Sequence, residues 1–157
     1  MEIKIRNITN DDVNVLFELT KNNYPLDVHT PHTYWMLSEY YSESCFILEI
    51  DGKSEGFITS TITPDYIFFW QFAINERYRG KGYSYLLLDK LIEVAKFNKK
   101  PISLTIEPDN RNSFRCINTY CSKNNYKFER YSECIISIPN KQEHDYKSYG
   151  AIYRILP

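Results

Sequence analysis

The sequence predicts a mixed α/β fold, in which one mostly antiparallel sheet is flanked by helices. Turn signals separate three successive apolar segments, which predicts antiparallel strands over residues 44–50, 56–62 and 66–74. A loop with two glycines then leads from the third strand into a segment of helical periodicity. Strand and helix patterns alternate beyond it. The predicted order of elements is therefore β, α, α, β, β, β, α, β, α, β, β.

The N-terminal residues predict a strand followed by a helix. Residues 1–6 alternate between apolar and polar side chains, as a half-buried strand does. Thr9 and Asp12 have the spacing of a capping box, and apolar residues follow at intervals of three and four. We therefore expect a helix that begins after Thr9 and ends near residues 22–23.

A second helix is predicted to begin at Pro31. Thr30 is a good N-cap residue, and proline is favoured at the first helical position. Asp27 and His29 then lie in a loop between two helices. Together with His32 they have a spacing that could hold a metal ion, but no further ligand stands at a fixed distance. Capping or the lining of a pocket is the favoured interpretation, and no metal is expected.

The remaining elements follow from turn residues and short apolar runs. Asp51-Gly52 predicts a type I′ hairpin turn, and Asn124-Asn125 predicts a helix stop because asparagine tolerates a positive φ. The C-terminal third is expected to form, in order, a strand, a helix, a strand, a polar loop and a last strand, over residues 101–106, 112–122, 126–130, 141–148 and 151–156.

Composition predicts a single domain over residues 1–157. The chain is 43% hydrophobic and 25% charged, with a net charge of −1, so it does not resemble a nucleic-acid-binding protein. No apolar run reaches membrane-spanning length, and the N-terminus lacks the pattern of a signal peptide. Four cysteines stand without a Cys-x-x-Cys pair. Reduced thiols and a cytoplasmic location are therefore expected.

Residues 77–84, Arg-Tyr-Arg-Gly-Lys-Gly-Tyr-Ser, form the loop around which the chain is organised. They follow an apolar strand and precede a helix. Glycines let backbone N–H groups turn towards a ligand, and the positive end of a helix dipole favours anions. The loop predicts an anion site, most simply for a phosphate or pyrophosphate. It lacks the third glycine of a dinucleotide fingerprint and the Gly-Lys-Ser/Thr of a P-loop.

The pattern Arg-x-x-Gly-x-Gly between strand and helix resembles the pyrophosphate loop of the GNAT superfamily of N-acetyltransferases, and nearly the whole order of elements fits that family. The resemblance implies the GNAT fold with splayed central strands, acetyl-CoA as co-substrate and a homodimer. It also implies a set of cofactor-binding residues, which comprises Phe72, Ala73, Ile74, Arg77, Arg79, Gly80, Lys81, Gly82, Tyr83, Ser84 and Asn110.

Several segments are similar to the L-2,4-diaminobutyrate acetyltransferases of the ectoine pathway. These segments are Leu-Asp-Val-His-Thr-Pro at 26–31, Phe-Trp-Gln-Phe at 69–72 and Glu-Pro-Asp-Asn at 107–110. By this resemblance, substrate-binding roles fall to Asp27, His29, Trp70 and Glu143. The chain also departs from that group: His29 replaces an asparagine, Glu107 replaces a threonine, and the acidic stretch around Glu143 is only partly present.

Acetyl transfer requires an amine that has lost its proton, so the site needs a base or a water chain. Asp27 and Glu107 are the candidates. A helix cap explains Asp27 equally well, and a solvated strand end explains Glu107 slightly better than catalysis does. A backbone N–H at a strand bulge near Phe72 is expected to stabilise the oxyanion. Tyr120 is a candidate acid for the leaving thiolate, and core packing explains it too. Cysteine catalysis is not expected, because no histidine partner is predicted.

Three hypotheses follow. The first is an acetyl-CoA-dependent N-acetyltransferase for a small diamino acid, with diaminobutyrate preferred and a polyamine, an ornithine-like amine or an aminoglycoside as alternatives. The second is a non-catalytic acyl-CoA-binding module. The third is an unrelated α/β domain whose glycine loop arose by chance. Small molecules, rather than nucleic acids or membranes, are the expected partners.

Overall fold

The computed structural model describes residues 1–23, 26, 28–138 and 146–157. They form two compact units, residues 1–100 and residues 101–157. No helix among the described residues is long and apolar enough to cross a membrane.

The first unit contains a four-stranded antiparallel sheet in the order β1-β2-β3-β4. Its strands are β1 (Ile3–Asn7), β2 (Phe46–Ile50), β3 (Lys53–Ile62) and β4 (Ile67–Ile74). Asp51 and Gly52 both have positive φ, of 50° and 74°, which confirms the predicted type I′ turn. Because this tight turn pairs Ile50 directly with Lys53, β3 begins three residues earlier than its apolar pattern predicts.

Three helices belong to this unit: α1 (Val13–Lys21), α2 (Pro31–Tyr40) and α3 (Tyr83–Asn98). A 3₁₀ turn at Asn10–Asp12 leads into α1, and the Thr9 N–H donates to the Asp12 carboxylate at 2.7 Å. That bond is one half of the predicted capping box. Helix α2 has Thr30 at its N-cap and Pro31 at its first position, as predicted.

The core of the first unit joins α1 and α2 to one face of the sheet. Leu16, Tyr34 and Leu37 from the helices are at most 1% exposed and cluster with Ile47 and Phe57 from the strands. Strand neighbours such as Leu48 and Ile58 point to the other face and are also fully buried. Helix α3 contacts β2, β3 and β4, so the sheet is covered on both faces.

The second unit contains a three-stranded antiparallel sheet in the order β5-β7-β6. Its elements are β5 (Ile102–Ile106), α4 (Arg111–Lys123), β6 (Lys127–Ile138) and β7 (Tyr146–Leu156). Helix α4 packs on β6 through aromatic contacts: Phe114 lies 5.7 Å from Phe128, and Phe128 stacks on Tyr153 at 5.0 Å between ring centroids. Asn125 has a φ of 58°, which confirms the predicted helix stop.

The C-terminal hairpin is longer than predicted. The expected polar loop over 141–148 is wrong for residues 146–148, because β7 begins at Tyr146 and pairs there with Ile138. Residues 141–145 lie outside the described residues. Strand β6 continues to Ile138, eight residues beyond the predicted strand end at Arg130. Pairing along a hairpin extends strands into polar sequence, which the composition of a short window does not reveal.

Candidate active site

Strand β4 contains a β-bulge at Trp70. Thr59 pairs with Gln71 and Ser60 pairs with Phe69, so Trp70 stands outside the ladder with β3. The Thr59 hydroxyl donates to the Gln71 carbonyl at 3.3 Å and accepts from the Gln71 N–H at 3.2 Å. One threonine side chain thus bonds the backbone beside the extra residue. Bulges of this kind re-aim side chains near functional sites.

The expected bulge near Phe72 is present, and its extra residue is Trp70. Phe72 pairs regularly with Ile58, and the irregularity lies two residues earlier. The hydroxyl of Thr59 bonds the backbone of Gln71, directly after the extra residue. Sequence alternation alone does not reveal which residue of β4 leaves the ladder.

The loop after β4 has the geometry expected of an anion site. A 3₁₀ turn at Glu76–Tyr78 is followed by Gly80 with φ of 70° and Gly82 with φ of 84°. Both values lie in the left-handed region, which glycine adopts without strain. Gly82 is the N-cap of α3, whose 16 residues place a positive dipole end at this loop. A phosphate at the loop would meet backbone N–H groups and this dipole together.

A buried carboxylate holds the start of the loop. Glu55 on β3 is only 2% exposed, and it forms an ion pair with Arg77. The Asn75 side chain donates to the second oxygen of Glu55 at 2.7 Å, and the Asn75 N–H donates to the Glu55 carbonyl at 2.8 Å. The hydrogen bond that Arg77 donates to Glu55 is the main cause that raises the pKa of Arg77 above its ordinary value. Desolvation of the guanidinium opposes this rise, and the charge of Glu55 adds to it.

The cations of the loop bond protein groups. Arg79 donates to the Ile74 carbonyl at 3.0 Å and to the Asn23 side-chain oxygen at 2.6 Å. Lys81 donates to the Arg77 carbonyl at 2.8 Å. Their predicted contact with a cofactor stays a prediction. What these bonds do in the structure is fix the path of the loop and connect it to the end of α1.

Most of the predicted cofactor residues come together in the first unit. Residues 72–74 end β4, residues 77–82 form the loop, and residues 83–84 open α3. Asn110 lies in the second unit, where its side chain accepts the Ser113 N–H at 3.3 Å and caps α4.

Two of the predicted substrate residues are neighbours. The His29 and Trp70 rings lie 5.1 Å apart between centroids, and His29 lies 6.4 Å from Tyr34. Tyr34 is fully buried, and its hydroxyl is 3.0 Å from the Thr20 hydroxyl and 3.4 Å from the Gln71 side-chain oxygen. A buried polar network therefore supports an accessible aromatic wall. Asp27 and Glu143 lie outside the described residues.

His32 stacks on Trp35 at 5.5 Å between centroids, whereas His29 packs on Trp70. The described residues contain no group of three or more histidine, cysteine or acidic side chains that could hold a metal ion.

The second unit contains an open cavity of about 750 Å³ beside the end of β5. Glu107 and Asn110, both predicted site residues, line it. Three arginines also line it, and they are Arg111, Arg115 and Arg130. Arg130 bonds Glu133 at 2.7 Å. The cavity combines one carboxylate with several cations, so its walls attract anionic groups.

Tyr120 is 2% exposed and lies 6.1 Å from Tyr126 between ring centroids, a position typical of core packing. Burial raises the pKa of the Cys121 thiol to about 11 and that of Cys45 to about 12. Both thiols are therefore protonated near neutral pH.

Sequence reasoning missed four residues that shape the site: Glu55, Asn75, Asn23 and Tyr34. The sequence could have indicated Glu55, because it is a charged residue directly before a run of β3 in which every residue is glycine, apolar, serine or threonine. Asn23 and Asn75 looked like ordinary loop residues. Tyr34 belongs to a run of bulky residues in α2, and only its buried hydroxyl reveals its polar role.

A model of the acetyltransferase (GNAT) family matches residues 13–120, which include β4, the glycine loop and α3. The chain belongs to the GNAT family. It is an N-acetyltransferase of that family, and the predicted mixed α/β fold class is confirmed.

Two curated relatives of this GNAT chain share one name. The L-2,4-diaminobutyric acid acetyltransferase of Halalkalibacterium halodurans is 32% identical over 137 residues, which are 84% of this chain and 71% of that protein. The enzyme of the same name from Halomonas elongata is 33% identical over 118 residues, which are 70% of this chain and 60% of that protein. The matches therefore leave a third or so of these relatives unmatched.

Solved structures share the fold of this GNAT chain. The diaminobutyrate acetyltransferase EctA of Paenibacillus lautus, in complex with L-2,4-diaminobutyric acid and coenzyme A, has a TM-score of 0.82 at 22% identity, over 99% of this chain and 95% of that one. Ard1 of Thermoplasma volcanium has a TM-score of 0.78 at 18% identity, over 100% and 99% of the two chains.

Proposed function

We propose that this GNAT protein transfers the acetyl group of acetyl-CoA to a primary amine of a small diamino acid, most simply the side-chain amine of L-2,4-diaminobutyrate. The observation that carries the proposal is the similarity over 84% of the chain to an enzyme of that name. The neighbouring rings of His29 and Trp70 support it, since both come from segments that resemble that group.

The glycine loop is the proposed site of the coenzyme A pyrophosphate. Its support is the left-handed backbone at Gly80 and Gly82, together with the α3 dipole. The backbone of residues 72–74 is proposed to bind the pantetheine arm, and Asn110 to contact it. Cofactor affinity then depends mostly on backbone geometry, which side-chain bonds from Arg77 and Arg79 maintain.

Trp70 and His29 are proposed to form a wall of the acceptor site. An ammonium group over an indole face is stabilised by the ring quadrupole, so Trp70 suits a substrate with a second, cationic amine. Asp27 and Glu143 are proposed to add negative charge at the same end. A diamino acid carries two ammonium groups, and acidic residues in its site would offset that charge.

The reacting amine attacks the thioester carbon directly in a ternary complex in this proposal. It must first lose a proton, to Asp27, to Glu107 or to water held by them. The carbonyl oxygen gains negative charge, and a backbone N–H beside the Trp70 bulge is the proposed donor to it. The C–S bond then breaks, and the thiolate takes up a proton, for which Tyr120 is the proposed source.

A second candidate is acetylation of another small amine, such as a polyamine, an ornithine-like amino acid or an aminoglycoside. Two residues favour it. His29 replaces an asparagine of the diaminobutyrate group, and Glu107 replaces a threonine. The cofactor loop is unchanged in kind, so both candidates share acetyl-CoA and differ only in the acceptor.

The decisive experiment uses purified protein, acetyl-CoA and a panel of amines, with release of free thiol as the readout. Turnover with diaminobutyrate that exceeds turnover with ornithine, spermidine and kanamycin supports the first candidate. The reverse order supports the second. Binding of coenzyme A without turnover on the whole panel would favour the non-catalytic module, and no binding would contradict both enzymatic candidates.

Asp27 supplies a second arm of that experiment. Asp27→Asn is expected to raise the KM for the amine by at least tenfold while the Kd for coenzyme A changes little, because the variant loses a charge that is proposed to bind the acceptor and not the cofactor. If amine use and coenzyme A binding weakened equally, Asp27 would not belong to the acceptor site. Asp51→Asn is a matched control, because Asp51 lies in the remote hairpin turn of the same unit.

The remaining features of the proposal concern the whole protein. We propose one catalytic domain over residues 1–157, a homodimer, a cytoplasmic location and a place in ectoine synthesis, without a metal. Gel filtration with light scattering tests the dimer. Accumulation of acetylated diaminobutyrate in cells that express the protein tests the pathway.

A further inference from the structure

Asn23 stands where α1 ends and the acceptor segment begins. It is only 3% exposed, and its side-chain NH₂ donates to the Leu19 carbonyl at 2.6 Å. The backbone carbonyl of Asn23 accepts the N–H of Leu26 at 3.0 Å. Leu26 opens the segment that carries His29 and the proposed acceptor residues. Asn23 therefore fixes the point from which that segment leaves α1.

The same asparagine bonds the cofactor loop. Its side-chain oxygen accepts from Arg79 at 2.6 Å, and Arg79 also donates to the Ile74 carbonyl at 3.0 Å. Arg79 directly precedes Gly80 of the glycine loop. One guanidinium thus spans from the end of β4 to the end of α1, across 56 residues of sequence.

A second contact of Asn23, with Asn75, also holds its side chain in place. The Asn23 NH₂ lies 3.4 Å from the Asn75 side-chain oxygen, and Asn75 is held by the buried Glu55 at 2.7 Å. These contacts restrict the Asn23 side chain to few positions, so its oxygen stays within reach of Arg79. The bond between Arg79 and Asn23 is charge-assisted, and such bonds are stronger than neutral ones.

We propose that the bond between Arg79 and Asn23 couples the binding of coenzyme A to the binding of the amine. This inference rests on the proposed function and adds regulation within the same site. A pyrophosphate in the loop restrains the backbone at Gly80 and hence the neighbouring Arg79. Arg79 then holds Asn23, and Asn23 holds Leu26 at the start of the acceptor segment. The two arrangements are the bond formed and the bond broken.

Coupling of this kind is reciprocal: the amine must tighten coenzyme A binding by the same factor by which coenzyme A tightens amine binding. The bond between the Asn23 and Arg79 side chains holds backbone segments in place and touches neither ligand in this proposal, so both are positioning residues. Their loss should weaken the effect of one ligand on the other more than the affinity for either ligand alone.

The test measures Kd by calorimetry for coenzyme A and for diaminobutyrate, each with and without the other. In the unaltered protein we expect each ligand to tighten the other by about tenfold, the middle of the usual range for such coupling. In Asn23→Ala and in Arg79→Gln the factor should fall below about twofold, and the double variant should lose no more than either single variant.

Two further variants separate this bond from a general loss of structure. Asn23→Asp keeps the oxygen that Arg79 bonds but loses the donor to Leu19, so it should retain the coupling. Asn22→Ala is the matched control: Asn22 is the exposed neighbour of Asn23, and its removal should leave the factor unchanged. Should Asn23→Ala fail to fold, Arg79→Lys gives the same reading, because a lysine cannot reach both acceptors.

A readout without any amine separates this proposal from the proposed function. Coenzyme A alone should slow hydrogen exchange at the amides of Leu26, His29 and Thr30 in the unaltered protein, and not in Asn23→Ala. Absence of turnover with diaminobutyrate would overturn the proposed substrate and leave this measurement valid. The proposed coupling would be overturned if coenzyme A protected these amides equally in the unaltered protein and in Asn23→Ala, or if the two proteins had the same coupling factor.

Discussion

Glu55 and Arg77 form an ion pair whose two ends lie in different surroundings. The Glu55 side chain is 3% exposed, whereas the Arg77 side chain is 61% exposed. Asn75 bonds the second carboxylate oxygen at 2.7 Å. A buried acid on β3 is thereby satisfied by two residues of the loop that follows β4. The loop begins where these bonds place it.

Glu55→Gln is expected to weaken coenzyme A binding. A glutamine side chain keeps one acceptor oxygen and loses the ion pair, so the start of the loop has fewer fixed positions. We expect the Kd for coenzyme A to rise by about threefold to tenfold, as measured by calorimetry. Glu76→Gln, at an exposed position in the next turn, is the control. An unchanged Kd in Glu55→Gln would show that the loop keeps its shape without the pair.

Asp12 predicts acid sensitivity. Burial raises the pKa of this carboxyl, but hydrogen bonds from Arg6 and Thr9 together with the charge of Arg6 outweigh it, so the pKa lies below the ordinary value of 3.8. Since the pKa is lowered in the folded state, the stabilisation is complete above 3.8 and is lost as the pH falls through the folded value.

The measurement is urea unfolding between pH 2.5 and pH 7, with Asp12→Asn beside the unaltered protein. The variant should lose about 1.5–3 kcal/mol at neutral pH, the usual range for hydrogen bonds to charged groups, and its stability should vary less at acidic pH. Parallel curves for the two proteins would contradict the role of Asp12.

Gly82→Ala tests the left-handed N-cap of α3. A Cβ at this position would meet nothing within 4 Å, so the cost is conformational and follows from the φ of 84°. We expect a loss of about 1–2 kcal/mol in unfolding free energy and weaker coenzyme A binding. Gly82→Asn should lose less, because asparagine visits this region more readily. Equal losses in the two variants would point to a cause other than φ.

Gly56→Ala tests the close approach of β3 to the end of β4. A Cβ there would lie 2.8 Å from the Ala73 carbonyl oxygen and 2.5 Å from the end of the Ile74 side chain. The side chain can rotate, but the backbone oxygen cannot move without the strand. We expect about 1–3 kcal/mol of destabilisation by thermal unfolding. Gly150→Ala, whose nearest contact is 3.4 Å, should lose less.

The cysteines should differ in reactivity. Cys45 and Cys121 are buried and have pKa values raised to about 12 and about 11, whereas Cys116 is partly exposed. A maleimide at pH 7.5, followed by mass mapping, should label Cys116 well before Cys45 or Cys121. Cys121→Ser should retain acetyl transfer, since a protonated thiol is no nucleophile. Rapid labelling of Cys121 would contradict this.

Local signals predicted the parts of the fold that local physics controls. The turn at Asp51-Gly52 needs two positive φ values, and pairs such as Asn-Gly and Asp-Gly adopt them readily, so the sequence predicts the turn. The cap at Thr30 and Pro31 and the loop around Gly80 were readable for the same reason. The resemblance assigned substrate-binding roles to His29 and Trp70, but the contact between their rings was not predicted.

Long-range contacts could not be predicted in this way. The bulge at Trp70 lies in the pairing of β4 with β3, where the Gln71 N–H donates to the hydroxyl of Thr59, 11 residues before Trp70. The link from Arg79 to Asn23 spans 56 residues. The extension of β7 back to Tyr146 depends on its pairing with β6. In each case the deciding partner lies outside any window over which periodicity is read.

The bulge at Trp70 has a consequence for how such enzymes diverge. Side chains within a regular ladder press on their cross-strand partners, so a substitution there disturbs the neighbouring strand. Trp70 stands outside the ladder with β3, and its neighbours Phe69 and Gln71 keep their own partners. If Trp70 has its proposed role in the acceptor site, evolution can replace the residue at position 70 and change which amine is accepted, while the strand that leads to the glycine loop is inherited unaltered.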